Sequence, residues 1–242
     1  MIHLTVPPKN NTLSVIPMKL GIVKSFIVKG EKTVIIVDTG YPGNGDRILH
    51  YLHKNLIKPA DISLIILTHG HIDHYGSASE LQEKTGAPIA IHRADAEYLK
   101  KGINYIGTPT GLFGRIVKSL FIRTDESIST SVKVDIVFEK EVDLQGFGID
   151  GRVIHTPGHT EGSISLILSG GEAIVGDLIM GGILFKKVPR YPLFIHDLSS
   201  LKESIRKVIQ LSPKVIYASH GGPFTSAIVQ KFLRKALKSV RF

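Results

Sequence analysis

Nine consecutive residues, Thr68-His69-Gly70-His71-Ile72-Asp73-His74-Tyr75-Gly76, set three imidazoles and one carboxylate within six positions. These side chains ligate borderline divalent metals such as zinc, and also iron or manganese. Histidine and aspartate each occur 11 times in 242 residues, so the four-position pattern arises by chance in on the order of one such chain in a thousand. Four ligands are too many for one tetrahedral ion that keeps a position open, and a pair of ions sharing the loop fits better. His69 and His71, two apart, can point to one side, while Asp73 and His74 fall on the next turn and serve a neighbouring ion. Without a cation these groups would compete for partners inside a folded protein.

Such a loop must be held by a scaffold, and the apolar runs of the chain supply one. TVIIV stops at Asp38, SLIILT at His69, GRVIHTPG at His159, EAIVG at Asp177 and KVIYAS at His220. Each run thus ends in a residue that binds a cation or orients one that does. Strand ends on a rigid sheet are where α/β proteins place their chemistry. Patterning predicts strands near 12–18, 22–28, 33–38, 63–68, 88–91, 133–138, 149–154, 163–168, 173–176 and 214–219. Helices are predicted near 45–57, 77–85, 93–101 and 199–210 and over the basic end of the chain, while 102–131 reads as loop or helix. Strands alternate with helices in both halves, and the middle is a meander. This mixture predicts two mixed sheets facing each other with helices outside.

Composition narrows the chemistry further. With no cysteine, disulfides, thiolate metal sites, Fe–S clusters and cysteine nucleophiles are excluded. The net charge of +9 speaks for anionic partners rather than for a fold. It concentrates in KFLRKALKSVRF, whose apolar residues recur at helical spacing, which predicts a docked helix with a solvated basic face. No stretch has the length of a membrane span, and the first residues lack a secretory pattern, so the expected location is cytoplasmic.

THGHIDHYG, followed by TPGHTEGS, VGD and SHGG, resembles the metallo-β-lactamase superfamily over most of the chain. The resemblance implies an αββα four-layer sandwich, an α/β (α+β) fold spanning 1–242 as one domain. It also implies two divalent metals, zinc first, with iron or manganese as alternatives. His69, His71 and His159 would hold the first ion; Asp73, His74 and His220 the second; Asp177 would bridge them. Asp38 would orient the loop by hydrogen bonds. A hydroxide shared by the two ions would attack an ester, lactone or thioester of a small, anionic substrate, with Asp73 taking and returning a proton. Glyoxalase II-like thioesterases and lactonases are the similar branches. Met180 stands where the lactonases often carry tyrosine, and little chain follows His220 for the helical domain of glyoxalase II. A phosphodiesterase or ribonuclease of the same fold is the alternative, favoured by the charge. An iron-loaded oxidoreductase or a non-catalytic metal-binding domain ranks below it.

Candidates for the substrate wall are Tyr75, His92, Lys186, Tyr191 and His196. Residues 98–131 are a candidate lid, and the strip over 180–196 is basic and aromatic. The expected partner is a small molecule rather than nucleic acid, with a homo-oligomer left open.

Overall fold

The computed structural model describes residues 13–121, 126–128, 131–182 and 186–238. The chain opens with an antiparallel hairpin, β1 (Ser14–Leu20) and β2 (Val23–Lys29), then β3 (Val34–Val37), helix α1 (Gly45–Lys54) and β4 (Ile62–Ile66). A single helical turn α2 (Ile72–Tyr75) leads into α3 (Ala78–Thr85), β5 (Ile89–His92) and α4 (Arg93–Lys101). Next come short strands β6 (Ile103–Tyr105) and β7 (Thr108–Pro109), helix α5 (Gly111–Phe121), and strands β8 (Glu126–Ile128), β9 (Ile136–Phe138) and β10 (Val142–Asp143). The second half holds β11 (Gly151–His155), β12 (Ile164–Leu168), β13 (Glu172–Ile174), β14 (Met180–Gly181), β15 (Pro189–Arg190) and β16 (Phe194–Ile195). It closes with α6 (Leu198–Gln210), β17 (Val215–Tyr217) and α7 (Ser226–Lys238).

Two mixed sheets carry the fold. One runs β1-β2-β3-β4-β5-β9, with its β3 to β9 members parallel; the other runs β10-β11-β12-β13-β17, with only β13 and β17 parallel. Alternation along the strands separates their faces. Phe26, Val28, Ile35, Val37, Leu64 and Ile66 point inward and meet Val153, Leu166, Leu168 and Ile174 of the other sheet. The intervening Ile27, Ile36 and Ile65 point outward onto α1, α3 and α4 through Ile48, Leu52, Leu81 and Leu99. The second sheet turns Ile154, Ala173 and Ile216 outward onto α6 and α7. Sheets covered on both faces explain why VIIV and SLIIL read as unbroken apolar runs. The αββα sandwich is therefore present as expected.

Most predicted elements lie within a few residues of their expected places. The strand expected at 133–138 forms only over Ile136–Phe138, and the ambiguous 102–131 contains α5. The terminal helix buries Val229 and Leu233 and exposes Lys231, Arg234 and Lys235, while its last positions, Val240 and Arg241, lie outside the described residues. Among the described residues, no helix is long and apolar enough to cross a membrane.

Candidate metal centre

Strand direction brings the five strand-end residues together. β3 and β4 are parallel, as are β13 and β17, and β11 runs the same way as β13 because both are antiparallel to β12. Asp38, His69, His159, Asp177 and His220 therefore emerge at the C-terminal ends of their strands.

The first group is His69, His71 and His159. His159 Nε2 lies 3.1 Å from His69 Nε2 and 2.9 Å from His71 Nδ1, and the latter two are 3.1 Å apart. The outer ring nitrogens determine which atoms carry hydrogen. His71 Nε2–H donates to the Tyr105 carbonyl at 2.6 Å and His159 Nδ1–H to the Phe194 carbonyl at 2.8 Å. Thr68 Oγ1 gives its own hydrogen to Asp38 Oδ2 and so accepts from His69 Nδ1–H at 3.0 Å. Three lone pairs are thus left facing one another, an arrangement that a cation stabilises. Burial pushes all three histidines below the ordinary range, His159 to about 3, which keeps them neutral.

The second group is Asp73, His74 and His220. His220 Nε2 is 3.1 Å from Asp73 Oδ2, and His74 Nε2 is 3.6 Å from the same oxygen. Asp177 stands between the groups: Oδ1 is 3.6 Å from His74 Nε2, and Oδ2 is 3.5 Å from His220 Nε2 and 3.8 Å from His159 Nε2. His74 Nε2 and Asp177 Oδ1 are buried without a hydrogen-bond partner, as expected of atoms shaped for an ion. Burial alone would lower His74, but Asp73, Asp38 and Asp177 outweigh it and hold the ring well above its ordinary value. Burial alone would raise Asp73, yet His74 and His220 bring it down to about 2.

Asp38 fastens this group to the sheet. Its Oδ1 accepts from Thr68 N at 2.7 Å, and its Oδ2 accepts from Thr68 Oγ1 and His74 Nδ1–H, both at 2.8 Å. A left-handed backbone (φ 60°) turns the carboxylate toward the loop, a conformation aspartate tolerates better than most residues.

Asp95 stands outside every motif of the sequence. Its fully paired carboxylate accepts from Gly70 N at 2.8 Å, Thr160 Oγ1 at 2.7 Å and Gly162 N at 2.8 Å. It thereby ties the backbone between His69 and His71 to the loop just past His159. Burial pushes its carboxyl up, opposed by those same hydrogen bonds. One signal in the chain points to it: Asp95 and Leu99, four apart, share the buried side of α4.

His71, Asp73, His159, Asp177 and His220 of these groups line a cavity of about 910 Å³, which Lys19, Lys24, Tyr41 and Lys186 also line. Burial lowers Lys24 to about 8 despite the pull of Asp177, and its ammonium donates to the Gly221 carbonyl. Burial, with Asp73 and Asp177 nearby, pushes Tyr41 up to about 12. Of the expected wall residues, Lys186 lines the cavity. Tyr75 does not: one residue beyond His74 the helical turn has rotated away from the site, and the ring is fully buried in the apolar cluster under α1 and α3. His92 stacks on His155 at 4.0 Å and accepts from Ala94 N at the start of α4. Tyr191 packs edge-on against Phe232, and His196 pairs with Glu161 at 3.0 Å. None of these three lines the cavity.

The metallo-beta-lactamase superfamily model matches residues 18–220. The chain is 30% identical over 215 residues to the probable metallo-hydrolase YflN of Bacillus subtilis (strain 168), covering 79% of this chain and 76% of that protein. Its fold is similar to the archaeal superfamily protein ST1585 from Sulfolobus tokodaii, with a TM-score of 0.65, 25% identity and coverage of 93% and 86%. It is similar as well to TTHA1623, solved in a di-iron-bound form, with a TM-score of 0.66, 24% identity and coverage of 90% and 98%. With the superfamily model matched over residues 18–220 and a relative 30% identical over most of both chains, the chain belongs to the metallo-beta-lactamase superfamily.

Proposed function

We propose that this chain is a binuclear metal-dependent hydrolase that cleaves an ester, lactone or thioester of a small, partly apolar, anionic substrate. The supporting observation is the meeting of His69, His71 and His159 with Asp73, His74 and His220 around Asp177, with five of these seven residues lining one cavity. The relative YflN, named a probable metallo-hydrolase, supports the same class. Zinc is the proposed metal, and iron and manganese belong in the test because TTHA1623 takes two irons. When bound, such ions polarise an acyl oxygen and bring the pKa of a water to about 7.

The remaining roles fall to the chain itself. Asp38 keeps the His74 Nδ1 protonated and its Nε2 aimed inward. Tyr105 and Phe194 do the same through their carbonyls for His71 and His159. Asp73, half-buried at the cavity, accepts a proton from the attacking water and passes it to the leaving group. Lys19, Lys24 and Lys186 attract and orient a substrate carboxylate or phosphate. Residues 98–131 act as part of the wall through Asn104, Ile106 and Val117.

The test is a panel of lactones, thioesters, simple esters, β-lactams and bis-p-nitrophenyl phosphate, offered to protein reconstituted with zinc, iron or manganese. Turnover of a carboxylic ester or thioester that Asp177→Ala abolishes, together with loss of bound metal, supports the reading. Undiminished turnover with two metals retained in Asp177→Ala overturns it. The three cavity lysines favour phosphodiesters as a second reading, which a steep fall of affinity with salt would reveal.

A further inference from the structure

Among the described residues, α5 carries an exposed apolar face. Leu112, Phe113, Ile116 and Leu120 are between 44 and 76% exposed. At about 100° per residue these four fall within one arc of about 100°. The helix rests on its other side, where a Cβ at buried Gly114 would come 2.7 Å from the Leu193 carbonyl. Val117, next to the exposed arc, lines the cavity. A second element raises a bare apolar side chain on the same cavity wall: Ile22, at the turn between β1 and β2, is 75% exposed. Grouped apolar side chains of this kind mark an interaction surface rather than the scattered exposure of an ordinary exterior.

Charge identifies the partner. α5 holds no acid, and Arg115 stands about 60° from the edge of the exposed arc. Among the described residues, the charged side chains lining the cavity, apart from Asp73 and Asp177 of the metal centre and the histidines, are Lys19, Lys24 and Lys186. Apolar projections set among cations fit the boundary between headgroups and acyl chains of an anionic bilayer. A second copy of this chain fits worse, because a two-fold pairing would set these cations against their own copies on a molecule of net charge +9. A nucleic acid would meet the cations but leave the four aliphatic side chains Ile22, Leu112, Ile116 and Leu120 bare.

We propose that the cavity mouth docks on an anionic membrane surface, with the exposed face of α5 and Ile22 seated among the lipid headgroups. The surface stands whether or not the centre is a hydrolase, and its test reads binding rather than turnover. The full-length protein is sedimented with vesicles of phosphatidylcholine alone or of phosphatidylcholine mixed with phosphatidylglycerol. Binding to the mixed vesicles, weakened by salt and at least tenfold weaker in the Leu112→Ser, Phe113→Ser, Ile116→Ser variant, supports the proposal. These side chains are exposed, and unchanged circular dichroism and metal content confirm that the variant is folded. Absence of binding at low salt overturns it. Binding that the triple substitution leaves unchanged also overturns it, since net charge alone would then account for the attraction. A concentration-dependent dimer that the same substitution dissociates assigns the face to a second copy and likewise overturns it.

Discussion

Replacing Asp95 by asparagine changes one oxygen into an NH₂ group and leaves the shape almost untouched. In the native protein Oδ2 accepts from Gly70 N and Thr160 Oγ1, and Oδ1 accepts from Gly162 N. Whichever way the amide is turned, its NH₂ meets a backbone N–H. With the NH₂ on the Gly162 side, that N–H loses its acceptor. Turned the other way, Gly70 N–H is stranded, and the Thr160 hydroxyl must rely on Ser163 Oγ, 2.7 Å away. Losing one hydrogen bond to a charged acceptor costs about 1.5–3 kcal/mol, and a stranded buried donor about 1–3 kcal/mol. Because these estimates overlap, about 2–4 kcal/mol is expected in total. The damage falls on the backbone between His69 and His71 and beyond His159, so metal affinity should drop by about 10- to 100-fold. Urea unfolding of the metal-free protein reads the first quantity, and titration against a chromophoric chelator reads the second. A variant that loses stability yet binds metal like the native protein would refute the idea that Asp95 registers the two ligand loops. So would one that loses neither.

Two further outcomes follow from the same geometry. Burial holds His69, His71 and His159 low in the folded metal-free protein, so unfolding lets them take up protons near pH 6.5. Their folded pKa is depressed, so their contribution is full above pH 6.5 and lost as pH falls toward about 3 for His159. The unfolding free energy of metal-free protein, read from urea titrations, should therefore fall between pH 6.5 and 5, by up to about 1.4 kcal/mol per pH unit for each of these histidines, and the urea midpoint with it. His74 and His220 have the opposite sign, contributing fully below pH 6.5 and less above it; a midpoint that is flat or rising from pH 6.5 to 5 contradicts this account. Gly158→Ala should lose about 2–5 kcal/mol, because φ is +133° and a Cβ there meets the Leu201 backbone. Gly45→Ala should stay within about 1 kcal/mol of native, since the three atoms nearest its Cβ all belong to the movable Glu80 carboxylate and alanine favours the helix; equal losses in thermal melts would refute the distinction.

A residue's role is legible in the chain where neighbours in sequence share a physical cause. Strands covered on both faces leave apolar runs with abrupt polar ends, and the residue at the end of each run is the one that emerges at the strand's C-terminal edge. That link makes Asp38, His69, His159, Asp177 and His220 legible from the amino-acid pattern alone. The substrate wall has no such link. It is assembled from the β1–β2 turn, the residue after α2 begins, the stretch around β6, α5 and the segment after Asp177. Each contributes a few side chains whose sequence context is ordinary. Proximity in the chain misleads here: Tyr75 lies beside His74, but one step along a helix turns a side chain from the metal centre into the core. Asp95 is hidden for the opposite reason. An acid in the first turn of a helix is normally explained by the helix dipole, and only the fold shows that this one faces inward to two backbone amides far from it in sequence. α5 is ambiguous because its two glycines, Gly111 and Gly114, read as loop. The second is small because the helix must pass against the Leu193 carbonyl. That close approach turns the apolar arc of α5 outward, so the feature that obscures the helix in the sequence is also the one that leaves its greasy face available at the cavity mouth.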